Sequence, residues 1–310
     1  PNPARPEWNV ANGFGFLWNP QWAKLKEAKV WLAAAGQIFF TLSVGFGVIL
    51  TYASYLRKRD DVALSGLTAS TANEFAEVIL GGSIVIPAAF AFFGTEGTME
   101  IAKGGAFNLG FVTMPLVLQQ VAFGQFFAFA WFFLLFIAGV TSSISLAMPA
   151  IVFLQDEFHL DRKTASVLFA VVTFNLCQVV IFFNGQGALD EMDFWGGTFC
   201  VVLFAMIEVV LFAWVFGMDK AWNELHSGSD IRIPRVYRFI IKYVTPVFLL
   251  LILGSWIVQE GWPTLLLHNI PPEKVPFVIG TRVLLLDLFA VVAFLVWLAW
   301  RKRQEKGEIT

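Results

Sequence analysis

Long apolar stretches separated by short polar segments dominate the chain. Seven of these stretches reach the roughly 20 residues that a helix needs to cross a bilayer. They are Val30–Leu56, Asn73–Phe93, Gly124–Leu154, Ala165–Asn184, Phe194–Gly217, Tyr237–Gln259 and Val275–Trp300. The pattern predicts an all-α membrane protein with a transmembrane helical bundle over residues 30–303, preceded by a loop segment over 1–29 and followed by a tail over 304–310.

The composition supports a membrane protein and excludes several other classes. The chain is 57% hydrophobic and 14% charged, whereas soluble domains carry about 25% charged residues. The net charge of −2 gives no sign of a nucleic-acid partner. Cys177 and Cys200 lie inside apolar stretches, so we interpret them as small core residues and not as a disulfide. The histidines show no metal-ligand spacing, and no nucleophile–base arrangement indicates an enzyme.

The basic residues predict the orientation of the helices. If the loop segment lies outside, the inner ends and loops hold Arg57, Lys58, Arg59, Arg162, Lys163, Lys220, Arg232, Arg235, Arg238, Lys242, Arg301, Lys302, Arg303 and Lys306, which is two thirds of all Lys and Arg. The positive-inside rule then places the N-terminal segment outside the plasma (inner) membrane and the C-terminus in the cytoplasm. Because the chain begins at Pro1 and shows no signal peptide, we expect a fragment or a processed piece.

The connection over residues 94–123 is unusually long and apolar, and it contains glycine and proline breakers. A loop of this composition should fold back onto the protein. We therefore predict an extracellular capping loop with a short helix near Met114–Gln120. A simple re-entrant loop is the alternative.

The first apolar stretch contains "GQIFFTLSVGFGVILTYASY", in which Gly45 and Gly47 follow Thr41 and Ser43. Two interpretations stay open. The glycines are either a notch for close helix packing or the site of a break in the helix. Lipid tolerates such a break only where the backbone faces a polar cavity or a ligand. A broken helix would offer free carbonyls and two hydroxyls to a small zwitterion.

Two further spans carry polar clusters. Asn73 and Glu77 are four residues apart and share one helix face. They lie either near the interface, where polar groups cost little, or deeper, where a carboxylate marks an ion or proton path. In the third span, the Ala138 carbonyl and the hydroxyls of Thr141 and Ser142 lie within about one turn. Three such oxygens suit a hard cation, although close helix packing explains small residues equally well.

These clusters, in this order, resemble the neurotransmitter:sodium symporter family, and especially its bacterial amino-acid transporters. The matching stretches are "GQIFFTLSVGFGVILTYASY", "LSGLTASTANEFAEVILGGS", "GGAFNLGFVTMP", "WFFLLFIAGVTSSIS", "LDEMDFWGG" and "GMDKAWNEL". The resemblance implies a partial leucine-transporter-type fold of seven transmembrane helices, the first one discontinuous. These correspond to helices six to twelve of the family's twelve, so the N-terminal helices one to five would be missing partners.

The resemblance also implies roles for individual residues. Thr41 and Asn73 resemble ligands of a first sodium ion. The Ala138 carbonyl, Thr141 and Ser142 resemble ligands of a second, so that each sodium site is only partly contained in this chain. The implied substrate-binding residues are Phe40, Thr41, Ser43, Phe46, Ser142 and Leu146.

Acidic residues receive roles from the same resemblance. Glu77 stands where chloride-dependent relatives bind an anion, and its carboxylate would supply that charge balance itself. Asp193 resembles the acidic half of the extracellular gate and Asp156 that of the cytoplasmic gate, and the arginine partners would be on the missing helices. Glu208 receives no role. It either bonds a neighbouring helix, which we favour, or lines a vestibule.

The function that the resemblance implies is sodium-coupled symport of an apolar α-amino acid by alternating access across the lipid membrane. A non-transporting amino-acid receptor or sensor built on the same fold is the alternative. Neither hypothesis makes the chain an enzyme.

Overall fold

The computed structural model describes residues 5–103 and 105–307, where the regular structure is helical and contains no strand. We number the main helices α1 Val10–Trp18, α2 Ala28–Thr41, α3 Val48–Ala53, α4 Val62–Lys103, α5 Leu109–Leu118, α6 Gly124–Phe158, α7 Arg162–Gln186, α8 Ala188–Val215, α9 Met218–Leu225, α10 Val236–Leu265 and α11 Val275–Glu305. Two short helical segments, Trp22–Lys26 and Gly105–Asn108, complete the set. The prediction of an all-α membrane protein is confirmed at this level.

Six helices in the described part of the chain are long and apolar enough to cross a membrane. They are α4, α6, α7, α8, α10 and α11. The remaining predicted span, Val30–Leu56, is divided between α2 and α3, neither of which reaches 18 residues. The discontinuity of the first span is therefore present, whereas a count of seven transmembrane helices stays a prediction.

The second span differs most from its predicted bounds. Helix α4 begins at Val62, well before Asn73, because the alanines and leucines of its first turns favour a helix, although the serines and threonines between them make those turns less apolar than a membrane span. At its other end the helix runs beyond Gly94, whose backbone (φ 67°, ψ −170°) is not helical. The non-helical residue is thus Gly94, although Pro87 is the residue that the sequence marks for a kink. The predicted short helix near Met114–Gln120 matches the α-helical part of α5, Met114–Leu118.

The described residues divide into two compact units. The first contains the residues up to Lys24 together with Val62–Ser143, and the second contains Leu25–Asp61 together with the residues from Ile144 onward. Helix α1 packs on α4 in the first unit, where a Cβ added to Gly13 would lie 2.7 Å from the Pro87 Cα. Within the second unit, a buried cluster joins α2, α8 and α10 through Leu32, Val202, Leu249 and Trp256. This cluster fixes the helix that leads into the break.

Both cysteines in the described residues are free, and their burial differs from what the sequence suggests. Cys177 is exposed and Cys200 is half-buried. Interpreting Cys177 as a core residue is therefore wrong, because the most apolar part of α7 has no buried residue. Apolar character along these helices therefore does not by itself indicate a position in the core.

Candidate functional site

The break between α2 and α3 is built from residues that leave helical geometry one after another. Helix α2 ends at Thr41, and α3 begins at Val48. Between them Ser43, Gly45 and Gly47 adopt positive φ angles of 57°, 82° and 73°. Positive φ is a conformation that glycine adopts without a steric cost. The local sequence thus explains why the helix stops here.

Hydrogen bonds close the two helix ends at the break. The Val44 N–H donates to the Phe39 carbonyl at 2.9 Å, and the Ser43 N–H donates to the Phe40 carbonyl at 3.1 Å. On the other side, the Thr51 hydroxyl donates to the Gly47 carbonyl at 2.9 Å. Buried backbone groups need such partners. The break is consequently a defined turn and not a frayed helix.

Glu208 on α8 holds the middle of the break. The Gly45 N–H donates to Glu208 Oε2 at 3.2 Å. A Cβ added at Gly45 would lie 2.7 Å from the Val201 carbonyl oxygen, so the turn is pressed against the α8 backbone. The sequence left Glu208 without a role, although a lone carboxylate inside an apolar span is itself a signal of function. In this structure Glu208 bonds the neighbouring broken helix.

Two phenylalanines and an aspartate surround the end of α2. The rings of Phe40 and Phe46 meet nearly edge to face, with centroids 5.6 Å apart. A Cβ added at Gly197 would lie 3.0 Å from Asp193 Oδ1 and 3.8 Å from Phe40 Cδ2. Because Gly197 has no side chain, the side chains of Asp193 and Phe40 both lie next to its Cα. The structure places this implied gate residue beside one implied substrate-binding residue.

Asn73 and Glu77 form a second polar pair on α4, in the other unit. The Asn73 Nδ2 donates to Glu77 Oε2 at 3.4 Å, and both side chains are half-buried. Glu77 belongs to a π-helical segment, Phe75–Gly81. Such segments occur frequently at functional sites. The same-face relation that the sequence predicts for this pair is therefore present.

Three oxygens on α6 form the third cluster. The Thr141 hydroxyl donates to the carbonyls of Ala138 at 3.1 Å and Ile137 at 2.9 Å. The neighbouring Ser143 likewise donates to the Gly139 carbonyl, at 2.7 Å. The Ser142 hydroxyl makes no hydrogen bond to any described residue. The structure thus brings Ala138 and Thr141 together and leaves the Ser142 hydroxyl available at the same level of the helix.

The implied site residues divide between the two units. The second unit holds Phe40, Thr41, Ser43, Phe46, Leu146, Asp156 and Asp193. The first unit holds Asn73, Glu77, Ala138, Thr141 and Ser142. The two implied ligands of the first sodium ion, Thr41 and Asn73, therefore lie in different units, whereas the implied ligands of the second lie in one.

Two ion pairs lie close to the implied gate residues, and sequence reasoning missed both. Glu191 is buried and pairs with Arg282, whose Nε donates to Glu191 Oε2 at 2.7 Å. It lies two residues before Asp193. Glu157 lies next to Asp156 and accepts both Nε, at 2.9 Å, and Nη2 of Arg303. No sequence spacing signals these pairs, because their partners lie on a distant helix, α11.

Known proteins match this chain in both sequence and structure. The family model described as the sodium:neurotransmitter symporter family matches residues 9–302. An uncharacterised sodium-dependent transporter of Methanocaldococcus jannaschii is 32% identical over 76% of this chain and 48% of its own length. Sodium-dependent nutrient amino acid transporter 1 of Drosophila grimshawi is 27% identical over 78% of this chain and 38% of its own length. The crystal structure of MhsT in complex with L-phenylalanine matches with a TM-score of 0.70 and 26% identity, covering 79% of this chain and 56% of MhsT.

The chain spans about half the length of these relatives. The match nevertheless covers nearly all of the chain itself and includes the broken helix, the α4 pair and the α6 cluster. The structural likeness to MhsT shows that the chain shares the fold of that protein, whose crystal structure holds L-phenylalanine. The chain belongs to the sodium:neurotransmitter symporter family, whose members are transporters and not enzymes.

Proposed function

We propose that this chain is the C-terminal part of a sodium-coupled symporter that moves an apolar α-amino acid by alternating access. The observation that carries the proposal is the break between α2 and α3. Three residues of positive φ there, Ser43, Gly45 and Gly47, interrupt the helical hydrogen bonding of the backbone inside an apolar span. Unwound backbone at membrane depth is tolerated where it lines a polar cavity, and it is where such transporters bind substrate and ions.

The substrate would bind against the end of α2. The carbonyls of Phe40 and Thr41, with the Ser43 hydroxyl, would accept hydrogen bonds from the ammonium group. Apolar walls would come from Phe46 and Leu146, with Ser142 alongside. The edge-to-face contact of Phe40 with Phe46 supports an apolar side chain in the substrate.

Sodium would bind at two sites made of neutral oxygens, which suit a hard cation. Thr41 and Asn73 would contribute to the first site, next to the substrate carboxylate. The Ala138 carbonyl, Thr141 and Ser142 would contribute to the second. The 3.1 Å separation of Thr141 Oγ from the Ala138 carbonyl oxygen supports this, because one ion can contact both.

Glu77 would supply the negative charge that balances the first sodium ion. Its hydrogen bond with Asn73 places the carboxylate next to one of the implied ligands. A fixed carboxylate removes the need for a bound anion, so transport would be independent of chloride. Replacement of Glu77 with Ser should make uptake depend on chloride. Uptake that stays indifferent to chloride in this variant would refute the role.

The other half of each site would come from five preceding helices. Relatives about twice as long as this chain support that arrangement. The face of α6 that carries Thr141 and Ser142 is exposed, which leaves room for a helix to cover it. Asp193 and Asp156 would form the acidic halves of the outer and inner gates, with the N-terminal segment outside and the C-terminus in the cytoplasm.

The test uses the complete transporter reconstituted in proteoliposomes. A sodium gradient should drive accumulation of a radiolabelled apolar amino acid. Ser142→Ala should weaken sodium activation at least about ten-fold, because even outer-shell changes cost that much metal affinity. Ser143→Ala is the matched control, since this hydroxyl bonds back to its own helix. Equal sodium activation in both variants would contradict the second sodium site.

A non-transporting amino-acid sensor on the same fold is the second candidate. Both candidates bind substrate and sodium, so binding alone does not separate them. Equilibrium binding of the amino acid without accumulation in sealed vesicles would favour the sensor. Accumulation that collapses when the sodium gradient is dissipated would favour the symporter.

A further inference from the structure

The connection between α8 and α10 encloses a cavity that the proposed transport cycle does not use. The cavity has a volume of about 590 Å³, within the range of small-molecule sites. Polar and basic side chains line most of it, including Trp222, Asn223, His226, Ser229, Arg232 and Arg235. Its chemistry is therefore unlike that of the apolar surfaces around it.

Hydrogen bonds of one histidine, His226, hold this connection around the cavity. The Ile233 N–H donates to His226 Nε2 at 3.1 Å, which requires that nitrogen to be unprotonated. The proton is then on Nδ1, which donates to the Trp222 carbonyl at 2.8 Å. The rings of Trp222 and His226 also lie against each other, with centroids 4.7 Å apart. The His226 ring therefore links Trp222 to Ile233 through two hydrogen bonds, and these bonds hold the lining of the cavity in a defined conformation.

Two arginines that line the cavity are not in ion pairs with described residues. Arg232 and Arg235 line the cavity, are exposed, and form no ion pair within residues 5–103 and 105–307. By contrast, Arg238 one turn further on is paired with Asp219. Two guanidinium groups on one cavity repel each other until an anion lies between them. The planar guanidinium forms paired hydrogen bonds with phosphate oxygens, which makes phosphate the matching anion.

The position of the cavity along the chain indicates where the phosphate comes from. The apolar span of α8 ends at Val215, and that of α10 begins at Val236, directly after Arg235. The intervening helix α9 buries Met218 and Ala221 and exposes charged residues. The cavity therefore lies at the level of the lipid headgroups. Under the proposed orientation it opens on the cytoplasmic leaflet, where anionic lipids are concentrated.

We infer that this cavity binds the phosphate group of an anionic phospholipid headgroup. The inference rests on the proposed membrane orientation but not on transport itself. The back of the same loop contacts the segment that follows the broken helix. The Asp230 N–H donates to Asp61 Oδ2 at 2.7 Å, and a Cβ added at Gly228 would lie 2.6 Å from the Arg59 carbonyl oxygen. A bound lipid would therefore stabilise the segment that leads out of α3.

The test measures binding of a fluorescent phosphatidylglycerol to the complete transporter in uncharged detergent, with fluorescent phosphatidylcholine as reference. Arginines near a membrane surface each contribute enough to change affinity about five-fold. The double variant Arg232→Gln/Arg235→Gln should bind phosphatidylglycerol about twenty-five-fold more weakly. The matched control is Arg162→Gln/Lys163→Gln, which removes two exposed charges at the start of α7 and should keep its affinity.

Three outcomes would overturn the inference. These are equal losses in the two double variants, unchanged binding in the cavity variant, and equal affinity for phosphatidylcholine. Inorganic phosphate is added in a separate arm. Displacement of the lipid by inorganic phosphate alone would assign the cavity to a soluble phosphate and would refute the lipid as its source. The readout needs neither sodium nor amino acid, so failure here leaves the proposed transport untouched, and loss of transport leaves this result untouched.

Discussion

The ion pair between Arg282 and Glu191 provides the most quantitative test of the structure. The two side chains are only 17% and 11% exposed. Arg282 Nε and Nη2 donate to Glu191 at 2.7 and 3.2 Å, and two further N–H groups donate to the Thr264 and Leu265 carbonyls. The Trp195 indole donates to the same carboxylate at 2.9 Å. Nearly every donor and acceptor of the pair is therefore satisfied.

Removal of one partner would leave the other charge buried without compensation. Such a change costs about 3–5 kcal/mol in other proteins. The Arg301–Glu305 pair on the same helix is the matched control, because its side chains are 60% and 66% exposed. Exposed pairs contribute about 0–1 kcal/mol. We therefore expect Arg282→Gln to lower the free energy of unfolding by about 3–5 kcal/mol and Arg301→Gln by less than about 1 kcal/mol.

The assay is reversible unfolding in mixed micelles, with tryptophan fluorescence as the readout. A double-mutant cycle adds Glu191→Gln. Because each single change leaves one buried group unpaired, the double variant should be less destabilised than the sum of the two single variants. Additive effects, or a loss in Arg282→Gln no larger than that in Arg301→Gln, would refute the buried-pair argument.

Three more predictions concern the break and one helix cap. Gly45→Ala should lower the unfolding temperature, because about 1–2 kcal/mol of left-handed strain adds to a clash 2.7 Å from the Val201 oxygen. Glu208→Gln should speed hydrogen exchange of the Gly45 amide about ten-fold, since a charged acceptor contributes about 1.5 kcal/mol. Hydrogen bonds from Thr164 hold the pKa of Asp161 below 3.8. The wild-type protein should therefore be more stable than the Asp161→Asn variant at neutral pH. This difference should disappear as the pH falls through the lowered pKa of Asp161, which melting curves recorded over a series of pH values would detect.

The membrane-spanning helices follow from local sequence because hydropathy is a local property. A run of about 20 apolar residues has few alternatives to a helix in lipid. This is why α6, α10 and α11 appear close to their predicted positions. The start of α4 was missed because the helical turns between Val62 and Asn73 are less apolar than a membrane span. The predicted end of the second span at Phe93 coincides with the interruption at Gly94, where the Trp8 ring occupies the place of a side chain.

Polar contacts within one helix could be predicted from the sequence, whereas polar contacts between helices could not. The Asn73–Glu77 contact follows from helical periodicity, since residues four apart share a face. The contact of Thr141 with the Ala138 carbonyl has the same origin. Glu208 is different, because it reaches Gly45 across 163 residues of sequence. No local pattern encodes that pairing.

The sequence by itself determined that the chain is helical and built for a membrane, and it narrowed the glycines of the first span to a packing notch or a break at Gly45 and Gly47. It did so because hydropathy, helix periodicity and the glycine preference for positive φ act over a few residues. Only the tertiary structure decided that the first span breaks there and which groups stabilise the fold: Glu208 at the break and Arg282 at the buried carboxylate. Such partners are selected by packing between distant helices, which depends on distances in space and not on spacing along the chain.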